Sequence, residues 1–148
     1  MRRLSAVVWG ALLWGGTVIG VMAESSRANE PCSNASEIAL RAQELGEVLD
    51  LFQGTVQNNY RWAPTLIQDA QRARVEVSWL ERVTGSARVP CEFAERAFVG
   101  VRGRMRGLKN QYRVFSFFRR EQPIEADWAN VLLAEKALNR EMARVREE

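Results

Sequence analysis

Four runs of apolar residues, each stepping alternately by four and by three positions, leave this chain little choice but amphipathic helices packed side by side. The first run is Ile38, Ala42, Leu45, Leu49, Phe52 and Val56, widened by Val48 and Leu51. The second is Leu66, Ala70, Ala73, Val77 and Leu80, and the third is Ala94, Phe98, Val101, Met105, Leu108, Tyr112 and Phe115. The fourth is Ile124, Trp128, Val131, Leu138, Met142 and Val145, with Glu135 interrupting the seam unless Leu132 and Ala134 shift the contact sideways. Such spacing places each set along one side of a helix that crosses its neighbours at a shallow angle.

Proline and glycine punctuate the runs. Pro64 drives the residue before it out of the helical region, so helix one ends ahead of it and helix two begins there. Gly85 closes helix two, and Pro90 follows in a short connection. Helix three is expected from about Cys91 to Arg120, with a break near its glycines as one option, and helix four from near Pro123. Ser33 or Asn34 is expected to cap helix one, with Glu37 in its first turn. The charged last turns of helix four are expected to fray. Trp62, Trp79 and Trp128 are expected in the core or at its rim. No run has the alternation of a strand, so the expected fold class is all-α, an up-down-up-down four-helix bundle over residues 35–148.

Cys32 and Cys91 are the only cysteines. An up-down-up-down path puts the starts of helices one and three at the same end, which is where these two residues stand. A Cys32–Cys91 disulfide is therefore expected.

Residues 1–23 read as an export leader. Arg2 and Arg3 precede twenty uncharged residues, Leu4 to Ala23, which end in the small side chains that a signal peptidase inspects. The run also reaches the ~20 residues of a membrane-crossing helix and holds Gly16 and Gly20 at a packing spacing, so an uncleaved anchor at 4–23 is the alternative. Either reading puts residues 24–34, a short segment, and the bundle in the periplasm or outside the cell. Taking Arg2 and Arg3 off the formal net charge of +3 leaves +1. Overall charge therefore does not mark a nucleic-acid binder, and no nucleic-acid partner is expected outside the cytoplasm.

Charge is instead concentrated. From Arg96 to Arg120 helix three has no acid, and Arg102, Arg106, Lys109, Arg113 and Arg120 fall along one stripe. Helix one carries Glu37, Glu44, Glu47 and Asp50, so a charge exchange between helices one and three is the plain reading of that asymmetry. A stripe that docks on anionic lipid headgroups, cell-wall polymers or an acidic partner protein is the functional one. Gly100, Gly103 and Gly107 share a second face that continues through Val114 and Phe118, reading either as a local helix irregularity or as a flat surface for another helix. The run Val114-Phe115-Ser116-Phe117-Phe118 puts aromatics on every side of the helix end, so part of it needs a cover.

Chemistry-bearing patterns are missing. The sequence has no histidine and no CxxC, so zinc, haem attachment and His-containing di-iron sites lack their ligands; neither metal nor cofactor is expected. No nucleophile and base pattern stands out, and the chain is expected not to be an enzyme. Leu66-Ile67-Gln68-Asp69-Ala70-Gln71-Arg72-Ala73 resembles the LxxAQRAW stretch of lysozyme-inhibitor-like exported helical domains, with Ile67 at that motif's leucine position, Arg74 where it has tryptophan, and without the surrounding cysteines. The expected function is an exported, non-enzymatic interaction module that binds an envelope protein, or a second copy of itself, through helix three. The partner-binding residues would be Arg102, Arg106, Lys109, Arg113, Gly100, Gly103, Gly107, Val114 and Phe118. Two alternatives stand beside it: a small-ligand or lipid carrier opening at the aromatic-rich helix ends, and a membrane-anchored accessory subunit of an envelope complex.

Overall fold

A computed structural model describes residues 32–86, 88–118 and 122–147. The expected leader or anchor at 1–23, and Arg119 and Arg120 of the basic run, lie outside the described residues. Among the described residues there are four helices: α1 Ala35–Asn59, α2 Pro64–Gly85, α3 Cys91–Phe118 and α4 Gln122–Glu147. Among the described residues there is no β-strand, and no helix is long and apolar enough to cross a membrane.

The spacing of apolar residues dictates which sides meet. Ile38, Leu45, Leu49 and Phe52 of α1, Val77 and Leu80 of α2, Met105 and Leu108 of α3, and Ile124 and Leu138 of α4 are fully buried in one continuous core. Pro64 occupies the first turn of α2, where its missing N–H costs nothing. Contacts between helices fix their directions. The start of α1 lies beside the end of α4, where the Asn34 amide donates to the Glu141 main-chain carbonyl at 2.9 Å. The end of α1 lies beside the start of α4, where Thr55 donates to Asp127. Helices α1 and α3 run the same way, diagonally across the core, with Cys32 and Cys91 at one pole and Phe52 against Tyr112 towards the other. The cysteines stand at disulfide distance, with Cα atoms 4.5 Å apart, and the Cys32 N–H donates to the Val89 carbonyl at 3.0 Å.

Several expectations need correction. Asn34 occupies the N-cap of α1 but makes no side-chain cap; its amide is spent on Glu141 instead. Helix α3 is uninterrupted from Cys91 to Phe118, despite three glycines. Glu135 does not shift the α4 seam sideways. It keeps the register, buried at 8% exposure, because Lys109 of α3 reaches across to pair with it. The last turns of α4 are helical to Glu147, and Glu141 is buried where Asn34 and Arg144 hold it. Since α1 packs on α2 and α4 rather than alongside α3, the charge exchange expected between α1 and α3 is replaced by two others: Asp50 of α1 with Arg74 of α2, and Lys109 of α3 with Glu135 of α4. The Arg74 guanidinium of the first pair lies over Gly46, where a Cβ would stand 2.5 Å from it.

Phe52, Tyr60, Trp62, Tyr112, Phe115 and Trp128 gather their rings towards the pole opposite the cysteines. Tyr112 stacks on Trp128 with centroids 4.2 Å apart, and Tyr60 and Trp62 close on Phe115 at 5.1 and 5.6 Å. Burial pushes the Tyr112 phenol above its ordinary 10.0, and the negative charge of Glu125 adds in the same direction. Trp128 is buried as expected; Trp62 remains more than half exposed over its ring partners. Trp79 is exposed on the outside of α2, so the core expectation fails for it.

Candidate functional site: the outer side of helix three

Helix α3 is held unequally by its neighbours. It packs closely along α2, whereas its backbone approaches that of α4 at few points, and large side chains span the gap. The side of α3 that points away from the core is thus bordered by α2 on one edge and by an open seam on the other.

On that outward side, Gly103 and Gly107 lie four residues apart, one turn above the other. A Cβ added at either would meet nothing within 4 Å. Gly100 belongs to a different environment. A Cβ there would stand 2.7 Å from a carboxylate oxygen of Glu76, so its missing side chain makes room for α2. The face expected from three glycines therefore divides into one packing glycine and two open ones. Exposed apolar groups bracket the open pair: Val99 on one side, Val114, Phe117 and Phe118 on the other. Phe117 is 85% exposed and Phe118 73%, and they lie edge to face with centroids 5.4 Å apart. Helix α4 does not cover this end.

The basic stripe also divides. Arg102, Arg106 and Arg113 are exposed, and among the described residues none of them has an ion-pair partner; Arg104 is likewise exposed and unpaired. Lys109 is engaged with Glu135 inside the molecule. Arg102 and Arg106, with Lys109, line the open seam between α3 and α4.

That seam forms two adjoining clefts. One of about 210 Å³ is lined by Phe98, Val101, Met105, the three basic residues, Glu135 and Asn139. Its neighbour, about 280 Å³, shares Phe98, Arg102 and Asn139 and adds Met142 and Ala143. Nothing in the spacing of apolar residues announced this opening, because α3 and α4 each carry an ordinary inward seam. The signal available was size: Phe98, Met105, Trp128 and Met142 are long or bulky where the facing α1 and α2 use alanine at positions 42, 70 and 73.

Among the described residues, no three cysteine, aspartate or glutamate side chains converge as metal ligands would. Comparison with protein-family models, with curated proteins and with solved structures found no match for this chain.

Proposed function

We propose that this chain is a non-enzymatic helical module, working in an oxidising compartment outside the cytoplasm, that binds an acidic protein partner through the outward side of α3. The observation that carries the reading is the pair Gly103 and Gly107. A glycine inside a helix costs about 1 kcal/mol relative to alanine. At Gly46 and Gly100 a neighbouring side chain occupies the space that a Cβ would take, whereas at 103 and 107, as at the lone Gly54 of α1, none does; only 103 and 107 stand one turn apart on one face. Stability is therefore given up on a surface with no internal use for the missing side chains. A partner that brings its own backbone close to α3 would use them.

The apolar groups around the glycine floor supply contact area, and the unpaired arginines along its edge supply sign. A second copy of the chain fits less well, since laying two such faces together would oppose arginine to arginine. A partner with carboxylates at its rim meets no such cost. The compartment rests on Cys32 and Cys91 at disulfide distance and on the apolar run Leu4 to Ala23.

Reversing charge at the edge tests the reading. Wild-type protein and the Arg106→Glu, Arg113→Glu variant are used as baits in envelope extracts, with bound proteins quantified by mass spectrometry. The reading expects at least a tenfold loss of one acidic partner, while circular dichroism stays the same. An identical set of captured proteins in equal amounts refutes it.

A further inference from the structure

A groove of about 530 Å³ runs between the end of α2 and the start of α3. Its walls are two large rings, Trp79 on α2 and Phe93 on α3, each 53% exposed. Between them the floor is low, made by buried Ala97 and Val89, and Val83 and Pro90 add apolar surface towards the cysteine pole. An alanine between two rings leaves a notch that one large apolar side chain would fill. At half exposure the two rings leave about 200 Å² of aromatic surface in water. Among the described residues neither ring stacks on another, and the Trp79 indole N–H has no acceptor.

Charges of opposite sign mark the two ends of the groove. Glu76 stands about one turn before Trp79 on α2, with its carboxylate laid over Gly100 of α3. Arg88 stands past the end of α2, held at φ 62°, a left-handed conformation that costs energy in a residue with a Cβ. Among the described residues neither has an ion-pair partner. The third charge in the lining, Arg96, is already engaged: it pairs with Glu92 and its guanidinium lies 6.0 Å from the Phe93 ring centroid. From Glu76 to Ser86 the lining follows α2 for about 15 Å, at 1.5 Å of rise per residue. An extended chain covers that length in four or five residues.

We propose that this groove binds an extended peptide segment of four or five residues, with one large apolar side chain seated between Trp79 and Phe93, a basic group at Glu76 and a carboxylate at Arg88. The lining selects a chain with a charge of each sign and an apolar middle. A neutral hydrophobe would leave Glu76 and Arg88 without partners, and a chain of one sign would meet repulsion at one end. The main chain of such a segment also supplies a carbonyl for the Trp79 N–H. The groove shares no residue with the floor of Gly103 and Gly107 or with its arginine edge, so it is tested independently of that surface.

Purified full-length protein is titrated by calorimetry with synthetic peptides. The acetylated, amidated sequences Lys-Ala-Phe-Ala-Glu and Glu-Ala-Phe-Ala-Lys cover both chain directions, and at least one of them should bind, one per protein chain. Replacing the central phenylalanine of that peptide by serine should weaken binding at least tenfold, and giving both ends the same charge should weaken it at least threefold. Trp79→Ala and Phe93→Ala, both at exposed positions, should each lose at least tenfold with circular dichroism unchanged, whereas Val114→Ala, on the outer side of α3, should bind as wild type. No binding of either peptide, equal binding of the serine peptide, or free indole binding as tightly as the peptide overturns the proposal. So does a dimer, seen by sedimentation, that Trp79→Ala dissolves, because the groove would then be covered by a second copy of the chain.

Discussion

Removing the Cys32–Cys91 bond should destabilise the bundle by an amount that can be calculated from the chain path. The two residues are 59 apart in sequence, so the bond closes a loop of about 60 residues. Loop-closure entropy for that length corresponds to about 4 kcal/mol at 25 °C. Native contacts oppose the loss only weakly. The start of α3 would keep the Cys32 to Val89 backbone hydrogen bond and its packing on α2, but it would lose its covalent tie to α1 and gain nothing from α4. With a urea slope of about 2 kcal/mol per molar, 4 kcal/mol moves the unfolding midpoint down by about 2 M. The assay is urea unfolding followed by circular dichroism, comparing oxidised protein with the Cys32→Ser, Cys91→Ser variant. Reductant added to wild type should reproduce the variant's curve. A midpoint shift under 0.5 M at about the same slope would refute the reasoning, since the loop would then be held closed equally well without the bond.

Three further outcomes follow from particular contacts. Gly103→Ala combined with Gly107→Ala should raise stability by about 2 kcal/mol, measured by thermal unfolding, because both sites are open and alanine is the better helix former; any destabilisation would show an internal use for these glycines. Lys109→Ala should cost about 1–2 kcal/mol, because it leaves buried Glu135 without its partner while the exposed half of the lysine discounts the larger loss of a fully buried pair, whereas Glu135→Leu should be near neutral because Lys109 can turn to water. In a Tyr60→Phe background the absorbance of ionised tyrosine should rise only above the usual range for Tyr112. Its folded value is raised, so its contribution to stability is complete below pH 10 and is lost as pH climbs through the folded value; ionisation of Tyr112 at or below 10 in the folded protein would contradict the burial argument.

The sequence carried the helices well because their cause is local. Pro64 and Gly85 bound α2 at the residues where they stand, and the four-three steps through Ile38 to Val56 select the side of α1 that is buried. The meeting of Cys32 with Cys91 was legible because it follows from direction alone. What the sequence hid depends on which helices are neighbours and how close they come. Glu135 looked like a flaw in the α4 seam because its partner, Lys109, sits on another helix at a distance set by bulky side chains. The same separation turned Arg102 and Arg106 from an outward stripe into the rim of a cleft. Gly100 and Gly103 are alike in sequence, and only the position of Glu76 on α2 tells them apart. Asn34 was placed correctly as the residue before α1, yet its amide bonds to α4, 107 residues away.

The central claim is that the outward side of α3 is the surface on which a partner's backbone comes to rest. A photo-reactive benzophenone amino acid placed at exposed position 99, which borders the glycine floor, and separately at exposed position 57 on α1, reports this in living cells. The claim predicts one discrete cross-linked product from position 99, none from position 57, and loss of that product when Arg106 and Arg113 are reversed to glutamate. Equal cross-linking from both positions, or a product at 99 that survives the charge reversal undiminished, would contradict it.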